Sequence, residues 1–136
     1  MPARVPFDYA VLRVVPRVER EEFLNIGVVV HAPTQAFLGC EVSLDCRRLG
    51  VLAPELTPAA LAELEAHLAA WRAVCAGAPA AGPIARLPPS ERFHWLVAPR
   101  STMLQTSPVH GGLSEDPAAT LHRLFATLVA SGEKTA

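Results

Sequence analysis

A chain of 136 residues has the usual length of one domain, and since 51% of its residues are hydrophobic, intrinsic disorder over most of that length is excluded. Its 12 basic and 13 acidic residues give a formal charge of −1, which argues against broad electrostatic binding to nucleic acid or to an anionic membrane. We therefore expect a single domain over residues 1–136, with a core at about 7–131 and flexible ends at 1–6 and 132–136.

The N-terminal segment has no long apolar run behind a basic start, and no stretch approaches the ~20 apolar residues that span a bilayer. The three cysteines, Cys40, Cys46 and Cys75, contain no C-x-x-C pair. Reduced thiols are therefore expected, and neither a disulfide framework nor a zinc site is predicted. These features favour a cytoplasmic protein with no metal, no cofactor and no membrane association.

Three segments rich in β-branched and aromatic residues predict the first strands, at 7–15, 25–31 and 37–44. Pro16 ends the first strand, because proline cannot donate a ladder hydrogen bond. A linker of about five residues joins the second and third strands, which is typical of an antiparallel hairpin.

The strongest helix signal begins at Thr57, a good N-cap, and Pro58, which is tolerated in the first turn. Gly77 is expected to end this helix. Between them the apolar residues recur at spacings of three and four, as one stripe of a helix does. The stripe consists of Leu61, Leu64, Leu68, Trp71 and Cys75.

The remaining segments complete an α+β pattern. Residues 91–98 are compatible with either a helix or a strand, and 103–107 predicts a short strand that closes the sheet. A final helix is expected to begin at Asp116 and end at Gly132. Strands followed by helices predict an α+β fold, with an antiparallel sheet of about four strands and two main helices packed on one face.

Alternation along the strands sorts their side chains into two faces. One face is apolar and is expected to form the core under the two helices; it comprises Ala10, Leu12, Val14, Ile26, Val28, Val30, Leu38, Cys40, Val42 and Leu44. The opposite face is mixed; it comprises Tyr9, Val11, Arg13, Asn25, Gly27, Val29, His31, Phe37, Glu41 and Ser43.

Arg13 stands in the middle of an otherwise apolar strand, and a charge among apolar neighbours requires a carboxylate or an anion. One interpretation is a solvated face on which Arg13 forms an ion pair with Glu41 or Glu22. The other is a ligand or partner site built on Arg13, Tyr9 and Asn25.

A second polar cluster follows the aromatic segment, at Arg100, Ser101 and Thr102, and continues to Ser107 and His110. An arginine with adjacent hydroxyls in a loop is a common anion-binding composition. Ser107 and His110 are three residues apart on a turn, which is not the geometry of a nucleophilic triad. An ordinary structural loop is the alternative interpretation.

Four segments together resemble one bacterial family, the domain of unknown function 3037. They are Tyr9-x-x-x-Arg13-x-x-Pro16, Glu22-x-x-Asn25-x-Gly27-Val28, Trp95 through Pro99-Arg100-Ser101, and Ser107-Pro108-Val109-His110. The resemblance spans about residues 7 to 130 and implies no catalytic residues. It implies a small stand-alone protein with an accessory role, since family members are expected beside genes for HipA-like kinases.

We expect the two polar clusters to converge at one end of the sheet. The leading hypothesis is a binding or accessory module that docks a protein partner, such as a HipA-like kinase. The first alternative is an enzyme acting on an anionic small molecule or nucleotide, with Arg13 and Arg100 binding the anion and Glu22 or His110 as acid or base. Nucleic-acid binding is the weakest hypothesis, because the sequence has neither a basic stripe nor a recognisable motif.

Overall fold

The described part of the chain, residues 3–100 and 102–130 of a computed structural model, folds into five strands and four α-helices. The strands are β1 Val5–Val14, β2 Leu24–Ala32, β3 Phe37–Val42, β4 Leu104–Thr106 and β5 His110–Ser114. The helices are α1 Cys46–Leu52, α2 Pro58–Ala76, α3 Pro89–Leu96 and α4 Pro117–Leu128. The α+β class is confirmed.

The strands form one antiparallel sheet in the order β3-β2-β1-β4, and β5 also pairs with β1. β4 pairs with residues 12–14 and β5 with residues 5–9 of β1, so together they occupy one edge of that strand. β1 begins at Val5, and Val5 and Pro6 therefore belong to the sheet and not to a flexible end. The expected flexible end at 132–136 lies outside the described residues.

The segment that allowed two interpretations, 91–98, lies mainly in helix α3. Pro89 occupies the first turn, where its missing N–H costs nothing. Phe93 and Leu96, three residues apart, are both buried against the core. The alternation of apolar residues in this segment, which is also compatible with a strand, does not correspond to a strand in the structure.

A β-bulge in β2 changes the side-chain pattern of the sheet. Leu12 pairs with Gly27, but Arg13 pairs with Asn25, so Ile26 is an extra residue in β2. Beyond the bulge the alternation is shifted by one residue. Ile26 packs in one core cluster, whereas Val28 and Val30 pack in the other. The prediction that these three share a face was therefore wrong.

The helices cover both faces of the sheet. α2 and α3 pack on the face of Leu12 and Ile26, and α4 packs on the opposite face, over β2 and β3. The prediction that both main helices lie on one face was wrong, because the bulge supplies the second face with the apolar side chains that α4 covers. The core of the α4 face comprises Phe7, Val28, Val30, Ala32, Leu121 and Val129.

Helix α2 begins and ends where the sequence predicts. The Thr57 hydroxyl accepts a hydrogen bond from the Ala60 N–H at 3.1 Å, and Pro58 occupies the first turn. Gly77 adopts the left-handed conformation with a φ of 68° and caps the last turn. Arg92 of α3 donates to the Val74 and Cys75 carbonyls at 3.1 and 2.7 Å, which fixes the end of α2 against its neighbour.

The close approach of β3 to the bulge can be tested by a substitution at Gly27. A Cβ on Gly27 would lie 2.9 Å from the Glu41 carbonyl oxygen, and that backbone atom cannot move without disturbing β3. We expect Gly27→Ala to lower the free energy of unfolding by about 1–3 kcal/mol. The matched control is Gly50→Ala in α1, where a Cβ meets nothing within 4 Å and the helix should gain about 0.5–1 kcal/mol. Urea denaturation measures both changes, and equal effects at the two glycines would contradict this account of the bulge.

His31 predicts how stability depends on pH. It is buried, its ring stacks on Phe93 with centroids 5.0 Å apart, and its Nε2 lies 3.4 Å from the Ser90 hydroxyl. Burial lowers the pKa of His31; the nearby Asp8 raises it and His94 lowers it by smaller amounts. The unfolded chain therefore binds the proton more readily, with an ordinary histidine pKa of about 6.5.

We accordingly expect the free energy of unfolding to be constant above that pH and to fall as the pH drops below about 6.5. His31→Gln should flatten this slope, because glutamine does not titrate. The exposed His67, changed to Gln, is the control and should leave the slope intact. Urea midpoints measured between pH 5 and 8 would contradict the assignment if the slope persisted in His31→Gln.

Candidate functional site

Arg13 lies on β1 with its side chain on the α4 face, whereas Leu12 and Val14 face the opposite core. Its guanidinium carbon lies 3.9 Å from the centroid of the Phe23 ring, a cation–π contact. Its Nε is buried and has no hydrogen-bond partner within the described residues. Burial lowers the pKa of Arg13, although a guanidinium remains protonated near neutral pH.

Neither carboxylate considered for an ion pair with Arg13 forms one. The Glu22 carboxylate binds Arg20, with 2.7 Å between its Oε1 and Arg20 Nε. The Glu41 Oε1 lies 3.2 Å from His122 Nδ1 on α4. Within the described residues, therefore, neither Glu22 nor Glu41 neutralises Arg13, as the first interpretation of the mixed face required.

Asn25 lies beside Arg13 as its partner in the β1–β2 ladder. Its Nδ2 donates to the Leu128 carbonyl at 3.3 Å, which ties the start of β2 to the last turn of α4. Its Oδ1 is buried and has no hydrogen-bond partner within the described residues. An unused donor on Arg13 and an unused acceptor on Asn25 therefore lie on neighbouring strands of one face.

Tyr9 and His110 form a second pair on this face. They are partners in the β1–β5 ladder, and their ring centroids lie 5.4 Å apart. Tyr9 precedes Arg13 by four residues, or roughly 13 Å along an extended strand. We call this part of the sheet the Arg13 surface; it comprises Tyr9, Arg13, Phe23, Asn25 and His110.

Arg100 occupies a different part of the molecule. Its guanidinium donates to the Trp95 and Leu96 carbonyls at 2.7 and 3.2 Å and lies 4.6 Å from the Trp95 ring centroid. Burial lowers its pKa. Arg100 thus caps the C-terminus of α3 in the layer that covers the Leu12 face, away from Arg13.

Arg100 and Arg13 therefore lie on opposite faces of the sheet, so Arg100 does not join Arg13 in one site, whereas His110 shares the α4 face with Arg13. Ser101 lies outside the described residues. A cavity of about 320 Å³ does adjoin Arg100, with walls that include Trp71, Trp95 and Leu104. Its lining is mainly apolar, and the arginine beside it already binds two carbonyls.

Ser107 has a structural role between β4 and β5. Its N–H donates to the Val11 carbonyl at 2.8 Å, and its hydroxyl oxygen accepts from the Val11 N–H at 2.9 Å. The serine side chain thus supplies the acceptor that a continuous strand would have supplied from its backbone. This explains why a serine stands at the kink.

The acid or base roles considered for Glu22 and His110 require a shared pocket with a bound anion. Glu22 is exposed, and its hydrogen bond to Arg20 lowers the pKa of the carboxyl group, so that it stays ionised near neutral pH. Within residues 3–100 and 102–130, no group of three His, Cys, Asp or Glu side chains is placed to bind a metal ion. None of the described helices is long and apolar enough to cross a membrane.

Phe23 is the residue of the Arg13 surface that the sequence analysis did not single out. Its side chain is large and apolar but 45% exposed, and the guanidinium of Arg13 lies over its ring. The available signal was one aromatic residue at the end of the charged segment 17–22, directly before a strand.

Comparison with known proteins gives one family match. The family model described as "Protein of unknown function (DUF3037)" matches residues 9–129. The match covers most of the chain and includes every residue of the Arg13 surface, so the resemblance seen in four short segments is confirmed. No curated protein and no solved structure matches the chain.

The capping role of Arg100 can be tested by comparing its effect on stability with that of the exposed Arg72. Removing the Arg100 guanidinium leaves the Trp95 and Leu96 carbonyls without a charged donor, and we expect Arg100→Ala to lower the free energy of unfolding by about 1–3 kcal/mol. The exposed Arg72 of α2, changed to Ala, is the control and should cost less than about 0.5 kcal/mol. Urea denaturation measures both. A negligible loss in Arg100→Ala would contradict its capping role.

Proposed function

We propose that this protein, which belongs to the DUF3037 family, is a binding module that docks a protein partner through the Arg13 surface. The observation that carries the proposal is the state of Arg13, a half-buried cation whose Nε has no hydrogen-bond partner in the described residues. A half-buried charge without a counter-charge among the described residues lowers stability, and its retention is accounted for if a partner supplies the counter-charge.

Geometry favours a carboxylate as that counter-charge. The Phe23 ring covers one face of the guanidinium and Nε is buried, which leaves the two terminal NH2 groups as the part that can donate to a partner. A planar guanidinium matches a carboxylate through two parallel hydrogen bonds, and both bonds are strengthened by charge.

The composition of the Arg13 surface also supports protein docking. Arginine and aromatic residues are enriched at the centres of protein interfaces, where they supply most of the binding energy. Here Arg13 lies beside Phe23 and on the same face as Tyr9 and His110, whose rings are adjacent. Phe23 is already exposed, so its ring can be buried by a partner without rearrangement of the sheet.

The family resemblance nominates a HipA-like kinase as the first partner to test, and the free thiols fit a reducing bacterial cytoplasm. On this proposal the complex forms through an Asp or Glu side chain of the kinase that reaches Arg13. The protein then acts as an accessory subunit and carries out no chemistry of its own.

The test combines co-purification with calorimetry. A tagged chain recovered from its native host should bring the kinase with it, and calorimetry with the purified pair should give the affinity. We expect Arg13→Ala and Phe23→Ala each to weaken binding at least ~10-fold, since truncation of an interface centre costs more than 1.4 kcal/mol. Arg72→Ala, on the opposite layer, should bind as the wild type does.

Two results would contradict the proposal. The first is a tagged chain that elutes alone at its monomer mass under gentle conditions. The second is a partner whose affinity is unchanged in Arg13→Ala but reduced in Arg72→Ala, which would place the interface on the α2 layer. Circular dichroism of each variant confirms that a loss of binding is not a loss of folding.

A further inference from the structure

Two of the three cysteines meet where α2 packs on β3. Cys40 lies on β3 and Cys75 in the last turn of α2, and both side chains belong to the core cluster of the Leu12 face. They lie in the part of that cluster where α2 packs on β3, and each thiol shifts the pKa of the other. The third cysteine, Cys46, is exposed on α1.

We propose that Cys40 and Cys75 are a redox-sensitive pair that closes to a reversible disulfide when the protein meets a peroxide. All three cysteines are free thiols in the structure, which is the reduced state of this pair. The pair lies on the face of the sheet opposite the Arg13 surface, so this inference does not depend on the proposed function.

The two thiols differ in access and acidity. Cys40 is half-buried and can be reached from the surface, whereas Cys75 is only 2% exposed. The neighbouring Cys75 thiol lowers the pKa of Cys40; burial raises it by a smaller amount, and the positive charge of Arg72 lowers it. The neighbouring Cys40 thiol and burial raise the pKa of Cys75. Cys40 is therefore the thiol that reacts first, because the thiolate is the nucleophile.

The chemistry proceeds in two balanced steps. The Cys40 thiolate attacks one oxygen of hydrogen peroxide, which forms a sulfenic acid and releases hydroxide that is protonated to water. The Cys75 sulfur then attacks the Cys40 sulfur, the S–O bond breaks, and the Cys75 proton leaves with the hydroxyl group as a second water. The peroxide is reduced by two electrons, and the two thiols are oxidised to one disulfide.

The surroundings hold the second sulfur in place for the second step. Arg92 donates to the Val74 and Cys75 carbonyls, so the end of α2 is fixed beside β3. A disulfide needs Cβ atoms about 4 Å apart, a separation within reach of two side chains that share one core cluster across a packed strand and helix. The crosslink closes residues 40–75 into a loop, which restricts the unfolded chain and stabilises the folded one.

The experiment uses the full-length reduced protein treated with a small excess of hydrogen peroxide, then denatured and alkylated with N-ethylmaleimide. We expect the number of alkylated thiols to fall from three to one, and dithiothreitol to restore three. Peptide mapping should find Cys40 joined to Cys75. The thermal midpoint of the oxidised protein should rise by more than about 5 °C.

Single variants separate this pair from general thiol oxidation. Cys46→Ser should still form the disulfide and leave no alkylated thiol, whereas Cys40→Ser should leave two thiols free. Since Cys75→Ser alters a buried site, the half-buried Cys40→Ser is the decisive variant. The inference is overturned if Cys40 is carried on to a sulfinic acid while Cys75 remains alkylated, or if the disulfide found contains Cys46.

Discussion

The β-bulge at Ile26 decides which side chains each helical layer covers. Without the extra residue, strict alternation would keep Ile26, Val28 and Val30 on one face. With it, Ile26 packs in the core under α2 and α3, while Val28 and Val30 pack under α4. Gly27 makes the bulge possible, since β3 approaches so closely that a Cβ has no room.

The same bulge places Arg13 opposite Asn25, at the edge of the area that α4 covers. The two carboxylates proposed as partners of Arg13, Glu22 and Glu41, are bound by Arg20 and His122. The guanidinium of Arg13 instead lies over the Phe23 ring. A cation–π contact at a partly exposed site is worth about 0.5–1 kcal/mol, which is less than the cost of desolvating a charge. The sheet therefore retains an unfavourable residue where apolar packing was available, and such sites tend to serve function.

The features that depend on neighbouring residues in the sequence were predicted correctly. Thr57 and Gly77 marked the ends of α2 correctly, and Arg13 was recognisable as a charge in an apolar strand. The bulge was missed because side-chain parity assumes that no residue is extra; the available signal was Gly27, since a glycine inside a strand often marks a bulge. The loop at Arg100 fitted either an anion site or an ordinary structural loop, and the acceptors that Arg100 binds, two carbonyls at the end of α3, are brought near only by the fold.

The central claim, that Arg13 has no counter-charge among the described residues, is tested most directly by the stability of Arg13→Met. Methionine keeps most of the length of the side chain and removes the charge. If the guanidinium is desolvated and unpaired, the free energy of unfolding in urea should equal or exceed that of the wild type, by up to about 1 kcal/mol. A loss of about 2 kcal/mol or more would show that the protein itself neutralises Arg13, and would contradict the account.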